Sequence, residues 1–310
     1  MKKLTAEQEN LIIELAKELP PCLALGDNED NLPAFINELW DVFYIDESKR
    51  KVYPQKYDDL ELLVQLVTMQ YATLTLWIEE TSTPDCTMFR SLTCNISNTI
   101  VAIEKLAQSG LDFQAMTLVR NLFEQFMTLL IVTESPQKRE AFRKSCYGEK
   151  ARNIWHKYFT KTKFLKMLKA YCNNESHYAL FEHFINESYG ELSSFAHNDY
   201  LYTLCYSLAE PEAETHPLNL MGEYVSRVRA IYGFIISTIW VCNLLFYMML
   251  ADERIDISLT NLLSPKVQTE TKKLIYALHA HEVLLGCKIL NMQDEFCDII
   301  KKLKDDYFKL

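Results

Sequence analysis

A chain of 310 residues, 49% of them hydrophobic and 24% charged, is ample for a sizeable core in one large helical domain or two smaller ones. Seven Gly and nine Pro leave few tight turns, and a mean hydropathy of -0.10 argues against a polytopic membrane protein. The formal charge of -10 and pI near 5.3 disfavour broad nonspecific nucleic-acid binding, while leaving room for a local basic patch.

The nine cysteines are scattered, with no C-x-x-C pair, and read as buried free thiols in a reducing cytosol. The opening MKKLTAEQENLIIELAKELP lacks the apolar run and cleavage site of a signal peptide, so a cytoplasmic location is expected. Thr5 and Gln8 make a capping box for a first helix that Pro20-Pro21 ends. A second helix is expected from Pro33 to Tyr44, followed by the charged connection DESKRK at 46–51. Leu60 to Glu79 reads as a long helix. Asp85 is expected to cap the next, which runs to Ser109, where Gly110 supplies the stop and Asp112 the following N-cap.

In the helix from Asp112 to Glu134 the only charges between the acidic ends are Arg120 and Glu124. They lie four apart inside the stripe Phe113, Thr117, Arg120, Glu124, Met127, Ile131, so a charge pair stands where a packing seam wants hydrophobes. An unpaired buried charge costs several kcal/mol, so both groups need each other and further polar partners from a second helix. The pair is therefore an architectural tie or a site.

Ser135-Pro136 closes that helix and starts a basic one. From Lys138 to Lys169 eleven Lys and Arg face only Glu140 and Glu149. With Trp155, His156, Tyr158 and Phe159 interleaved, the segment suits contact with phosphate and bases, although a solvated helix face is the commoner meaning. A helix around Ser176 to Tyr189 is expected next, then another at 190–210, and Pro211 to Pro217 is a polar break. Ala230 to Ala251 is uncharged and long enough to span a bilayer. Its Ser237, Thr238 and Asn243 favour a buried core helix instead. Ser264-Pro265 starts a helix to Leu285, and Asn291 with Asp294 caps the last. The architecture expected is all-α: a central four-helix bundle within 85–254, from helices near 85–109, 112–134, 190–208 and 219–252. Helices from 1–84 pack on it, and 255–310 forms a C-terminal extension.

Neither G-x-G-x-x-G nor a Walker A loop is present, so both standard phosphate cradles are missing. No Glu is followed three residues later by His, which removes zinc-protease and di-iron motifs. His279 and His281 point to different sides of a helix, and His177 with His183 reads as surface, so neither a metal nor another cofactor is expected. Ser193, Ser194, His197 and Asp199 lack a nucleophile elbow. His197 is expected inside an apolar helix facing Arg120 and Glu124. There Glu124 would orient the imidazole, Ser193 or Ser194 would satisfy it, and Arg120 would hold an anion. Such a trio suits phosphoryl chemistry, with His197 moving protons and Arg120 stabilising the developing charge. The alternative is a buried network that fixes helix register in a non-enzymatic binding or scaffold protein.

The run 106–132, with R-x-x-x-E after a short Gly-containing turn, and ELSSFAHND at 191–199, with S-x-x-x-H, together resemble a family of uncharacterised bacterial all-helical proteins. That family is distantly similar to the HEPN (higher eukaryotes and prokaryotes nucleotide-binding) superfamily. The likeness covers residues 90–250 or thereabouts. It implies a four-helix bundle, often dimeric, and in many members a metal-independent ribonuclease of toxin-antitoxin or phage-defence systems. RNA or a nucleotide would be the substrate, and a second copy or an antitoxin-type protein the partner. Such members carry R-x(4-6)-H on one helix. Here the nearest approach is RNIWH, one residue short, which makes Arg152, Asn153 and His156 a second candidate set.

Overall fold

The computed structural model describes residues 83–145, 148–172 and 175–197, together with positions within 51–52, 64–78, 199–206, 224–225, 231–241, 280 and 302. The helices expected at 5–19 and 33–44, the stretch 242–251 and, apart from positions 280 and 302, the helices expected beyond 255 lie outside the described residues. The order is β1 (Lys51–Val52), α1 (Pro84–Gln108), α2 (Asp112–Glu134), α3 (Pro136–Arg143), α4 (Gly148–Tyr158), α5 (Lys161–Tyr171), α6 (Glu175–Ala196) and β2 (Tyr224–Val225). The fold is all-α and multi-helical. β1 and β2 make only a two-residue parallel pairing, Lys51 with Tyr224 and Val52 with Val225. The helix expected over 219–252 is thus extended at 224–225, and its described positions at 231–241 are helical.

α1 starts on Thr83, whose hydroxyl accepts from Cys86 N at 3.2 Å, with Pro84 in the first turn. Asp85 therefore does not cap. It sits in the first turn, where the positive end of the helix dipole and an ion pair to Arg139 at 3.1 Å hold it. At the other end Gly110 N donates to Ala107 O at 3.0 Å and Leu111 N to Leu106 O at 2.9 Å. These are the paired bonds of a Schellman stop, and Gly110 adopts the φ of 71° it requires. The chain turns so tightly that Leu111 takes the N-cap place, and Asp112 becomes a buried first-turn residue rather than a cap.

α2 is enclosed nearly all round in its second half, from Phe126 to Thr133, as an almost uncharged helix must be. By length and composition it is the one helix among the described residues able to cross a bilayer, yet 67% of its apolar window is buried in protein. α1 lays Phe89, Thr93, Ile96, Ile100, Ile103 and Ala107 along one seam and packs antiparallel on α2. Helical positions of 64–76 cover another side, through Tyr71 against Phe126 (ring centroids 5.2 Å) and Thr75 Oγ1 to Thr93 Oγ1 at 2.8 Å. Ile231, Tyr232, Ile235 and Ile239 are fully enclosed in the same core, and Gln108 donates to Tyr232 Oη at 3.2 Å. Where described, the stretch from Ala230 is thus packed among protein side chains.

Ser135 caps α3 by accepting from Lys138 N at 3.4 Å, with Pro136 in its first turn. The expected single basic helix is three. Gly148, at φ 72°, restarts the chain as α4, and Thr160 accepts from Lys163 N to start α5. Conversely, the two helices expected on either side of Gly190 are one. α6 runs unbroken from Glu175 to Ala196, because one mid-helix glycine costs only about 1 kcal/mol against the packing of Phe181, Ile185, Leu192 and Phe195.

Gly110→Ala places a Cβ in the left-handed region and is expected to lower stability by about 1–2 kcal/mol. Urea unfolding followed by circular dichroism measures the loss.

Candidate functional site

α2 and α6 pack with Phe113 beside Phe195 (5.7 Å between ring centroids) and Phe123 beside Tyr189 (5.9 Å). The rising number on one helix meets the falling number on the other, so the pair is antiparallel. Along the seam of α6, at Phe181, Ile185 and Leu192, the intervening place belongs to Tyr189. Along the seam of α2 the matching level belongs to Arg120 and Glu124.

Three polar groups therefore meet at one level. Arg120 Nη2 donates to Glu124 Oε1 and to Tyr189 Oη, each at 3.2 Å. Tyr189 Oη in turn donates to Glu124 Oε1 at 3.0 Å. The guanidinium carbon also lies 5.1 Å from the Tyr189 ring centroid, and Lys161 Nζ, at the start of α5, lies 5.3 Å from it. Arg120 and Glu124 keep 16% and 25% of their side-chain surface, so the cluster is half open at its edge. Arg120 Nε is shielded and makes no hydrogen bond among the described residues. Burial, followed by the charge of Glu124, pushes the Tyr189 hydroxyl above its ordinary value near 10, against the lowering effect of Arg120.

His197 is not the third member. It lies in the turn after α6, exposed, with its backbone N–H bound to Ser193 O at 3.0 Å. Eight residues beyond Tyr189 put it about 12 Å further along the axis, level with the start of α2. Ser193 turns its hydroxyl back to Tyr189 O, and Ser194 O accepts from Asp199 N at 2.9 Å. Asp199 itself is exposed, and its carbonyl accepts from Thr203 N at 2.8 Å. The expected 190–210 helix is interrupted at positions 197 and 199, and the S-x-x-x-H run serves as a helix end.

Arg152, Asn153 and His156 all lie exposed on α4, Arg152 and His156 one turn apart on one face. Asn153 borders an open groove of about 670 Å³ between α3 and α4. Tyr189 escaped the sequence reading for one reason. Dividing the helix at Gly190 left Tyr189 at an end instead of on the continuous ladder Phe181, Ile185, Tyr189, Ser193 that would have aimed it at α2.

Comparison of the chain with protein families, curated proteins and solved structures finds no match.

The Arg120–Glu124–Tyr189 cluster has its donors directed inward, which is the chemistry of a register tie. Tyr189→Phe is expected to cost about 1 kcal/mol, at the low end for a bond to charged groups because the cluster is partly wet. The sign with pH is set by the raised folded value. The contribution is full below pH 10, where the phenol is protonated in both states. It fades as pH rises further, because the unfolded phenol then loses its proton first. Urea unfolding between pH 8 and 11 should show the gap between wild type and Tyr189→Phe closing above pH 10.

Proposed function

We propose that the protein is a helical nucleic-acid-binding protein that holds single-stranded RNA on the outer faces of α4 and α5. The observation that carries this is how the cations of 138–169 divide. Those near α3 are engaged: Lys138 pairs with Glu134, Arg139 and Arg143 with Asp85, and Lys144 with Glu140. Those beyond it are not. Arg152, Lys157, Lys163, Lys166 and Lys169 are exposed and make no ion pair among the described residues. Lys163, Lys166 and Lys169 recur every three residues along α5, which keeps them on one side of that helix.

Five exposed cations without an ion pair among the described residues, on two successive helices, are the electrostatic footprint of a phosphate backbone, in a chain whose overall charge is -10. Half-buried Trp155 and Tyr158 between them supply ring surface for unpaired bases. A second reading builds on the same surface. Arg152 and His156 share an exposed face of α4, so a strand lying there would meet a proton-transfer group and a charge stabiliser together. That arrangement supports metal-independent, HEPN-like cleavage, and with it a role as a toxin or defence effector, at His156 rather than at His197.

Fluorescence anisotropy with a labelled single-stranded RNA tests the first reading. Lys163→Ala with Lys166→Ala is expected to weaken binding at every sequence and to reduce the salt slope by about 1.4. Unchanged affinity in the double variant, or no binding by wild type at low salt, ends it. RNA cleavage in EDTA, present in wild type and in His197→Ala but lost in His156→Ala, is what the second reading requires.

A further inference from the structure

We infer that the groove between α3 and α4 is a pocket for one unpaired guanine of the bound strand, an inference that rests on the RNA-binding reading above. At about 670 Å³ the groove is in the size range of small-ligand sites. Ala141, Ile154 and the Tyr158 ring contribute its apolar surface. A flat aromatic ligand gains most from such walls, because its faces need no hydrogen bonds while its edge does.

The two sides differ in what they offer that edge. On α3 the charges satisfy each other: Glu140 accepts from Arg143 Nη2 at 2.8 Å, and Lys144 Nζ lies 2.9 Å from its other oxygen. On α4, Glu149, Asn153 and Lys157 all border the groove at successive four-residue steps, which places them in one row along the helix.

That row has a chemical order. An ionised carboxylate only accepts, and it is best matched by two adjacent donors. Among the four RNA bases guanine alone presents them side by side, as its N1–H and its amino group. Adenine, cytosine and uracil each set an acceptor beside their donor. One turn further on, the Asn153 amide can donate to guanine O6, next to N1 on the same edge. One turn beyond that stands Lys157. Its ammonium rests 4.9 Å from the Tyr158 ring centroid with no ion pair among the described residues, and a strand phosphate is a stronger partner than an aromatic face. The groove thus adds sequence preference to a surface that otherwise reads only charge.

Anisotropy titrations with labelled uridine tracts carrying one central guanosine, adenosine or inosine test the pocket. The guanosine tract is expected to bind about tenfold more tightly than the adenosine tract, as one bidentate edge contact discriminates, with inosine, which lacks the amino group, in between. In Glu149→Gln the guanosine preference is expected to vanish while the salt slope stays. In Tyr158→Leu, checked for fold by circular dichroism, the guanosine tract should lose its advantage. Equal affinity of wild type for all three tracts overturns the pocket and leaves the RNA-binding reading standing. A guanosine preference that survives in both variants also overturns it, because the discrimination then lies elsewhere. Absence of binding to every tract overturns both together.

Discussion

The structure depends on one demand, that the apolar sides of α2 be covered. Twenty-three residues with only two interior charges cannot face water along any long stretch, so α1, α3, α5 and α6 all pack against this helix. Helical stretches within 64–78 and 231–241 join the same core. Apolar burial is not directional, however, and a smooth seam leaves helices free to slide. Arg120, Glu124 and Tyr189 remove that freedom between α2 and α6, because their bonds close at one register only. The cost of setting charges in a seam is kept low by leaving the cluster's edge wet.

A second polar tie acts at the end of α2. The guanidinium of Arg139, 4% exposed, pairs with Asp85 in the first turn of α1 and donates from Nη1 to Val132 O at 3.3 Å. That carbonyl belongs to the last turn of α2, which has no cation of its own. One side chain thus answers the orphan carbonyl end of one helix and the acidic start of another. Together the two ties fix α2 against α6 near its middle and against α1 at its end.

The all-α class was legible because few glycines and long apolar periodicities allow little else. The Ser135-Pro136 boundary and the Gly110 stop were legible because each rests on local chemistry: a hydroxyl that caps, a ring that fits the first turn, a residue free to take positive φ. Helix breaks governed by competition were not. Gly148 stands at the start of a helix and Gly190 inside one, although both are single glycines, since the outcome depends on how much apolar surface a continuous helix buries. That one ambiguity moved the candidate site. With α6 continuous, its ladder aims Tyr189 at Arg120 and carries His197 past the helix end. The Arg120–Glu124 pair was visible as a charge anomaly within one helix, and its partner was hidden because partnership is set by the register between two.

A charge count alone misjudges the basic segment for a related reason. Eleven cations stand between 138 and 169, but they do two kinds of work that the sequence does not separate. Around α3 each cation that pairs is within reach of Glu134, Glu140 or Asp85, two of them acids from neighbouring helices, and its field is cancelled locally. Along α4 and α5 the exposed cations have no such neighbour among the described residues, so their fields add over the surface. Solvated lysines on a helix face are ordinary where acids are interspersed, as they are over most of this acidic chain. Of the acids within 138–169, Glu140 is taken up by Arg143 and Lys144 on α3, and Glu149 makes no ion pair among the described residues, which leaves Arg152, Lys157, Lys163, Lys166 and Lys169 exposed without an ion pair. It is this segregation that gives the surface a use for phosphate.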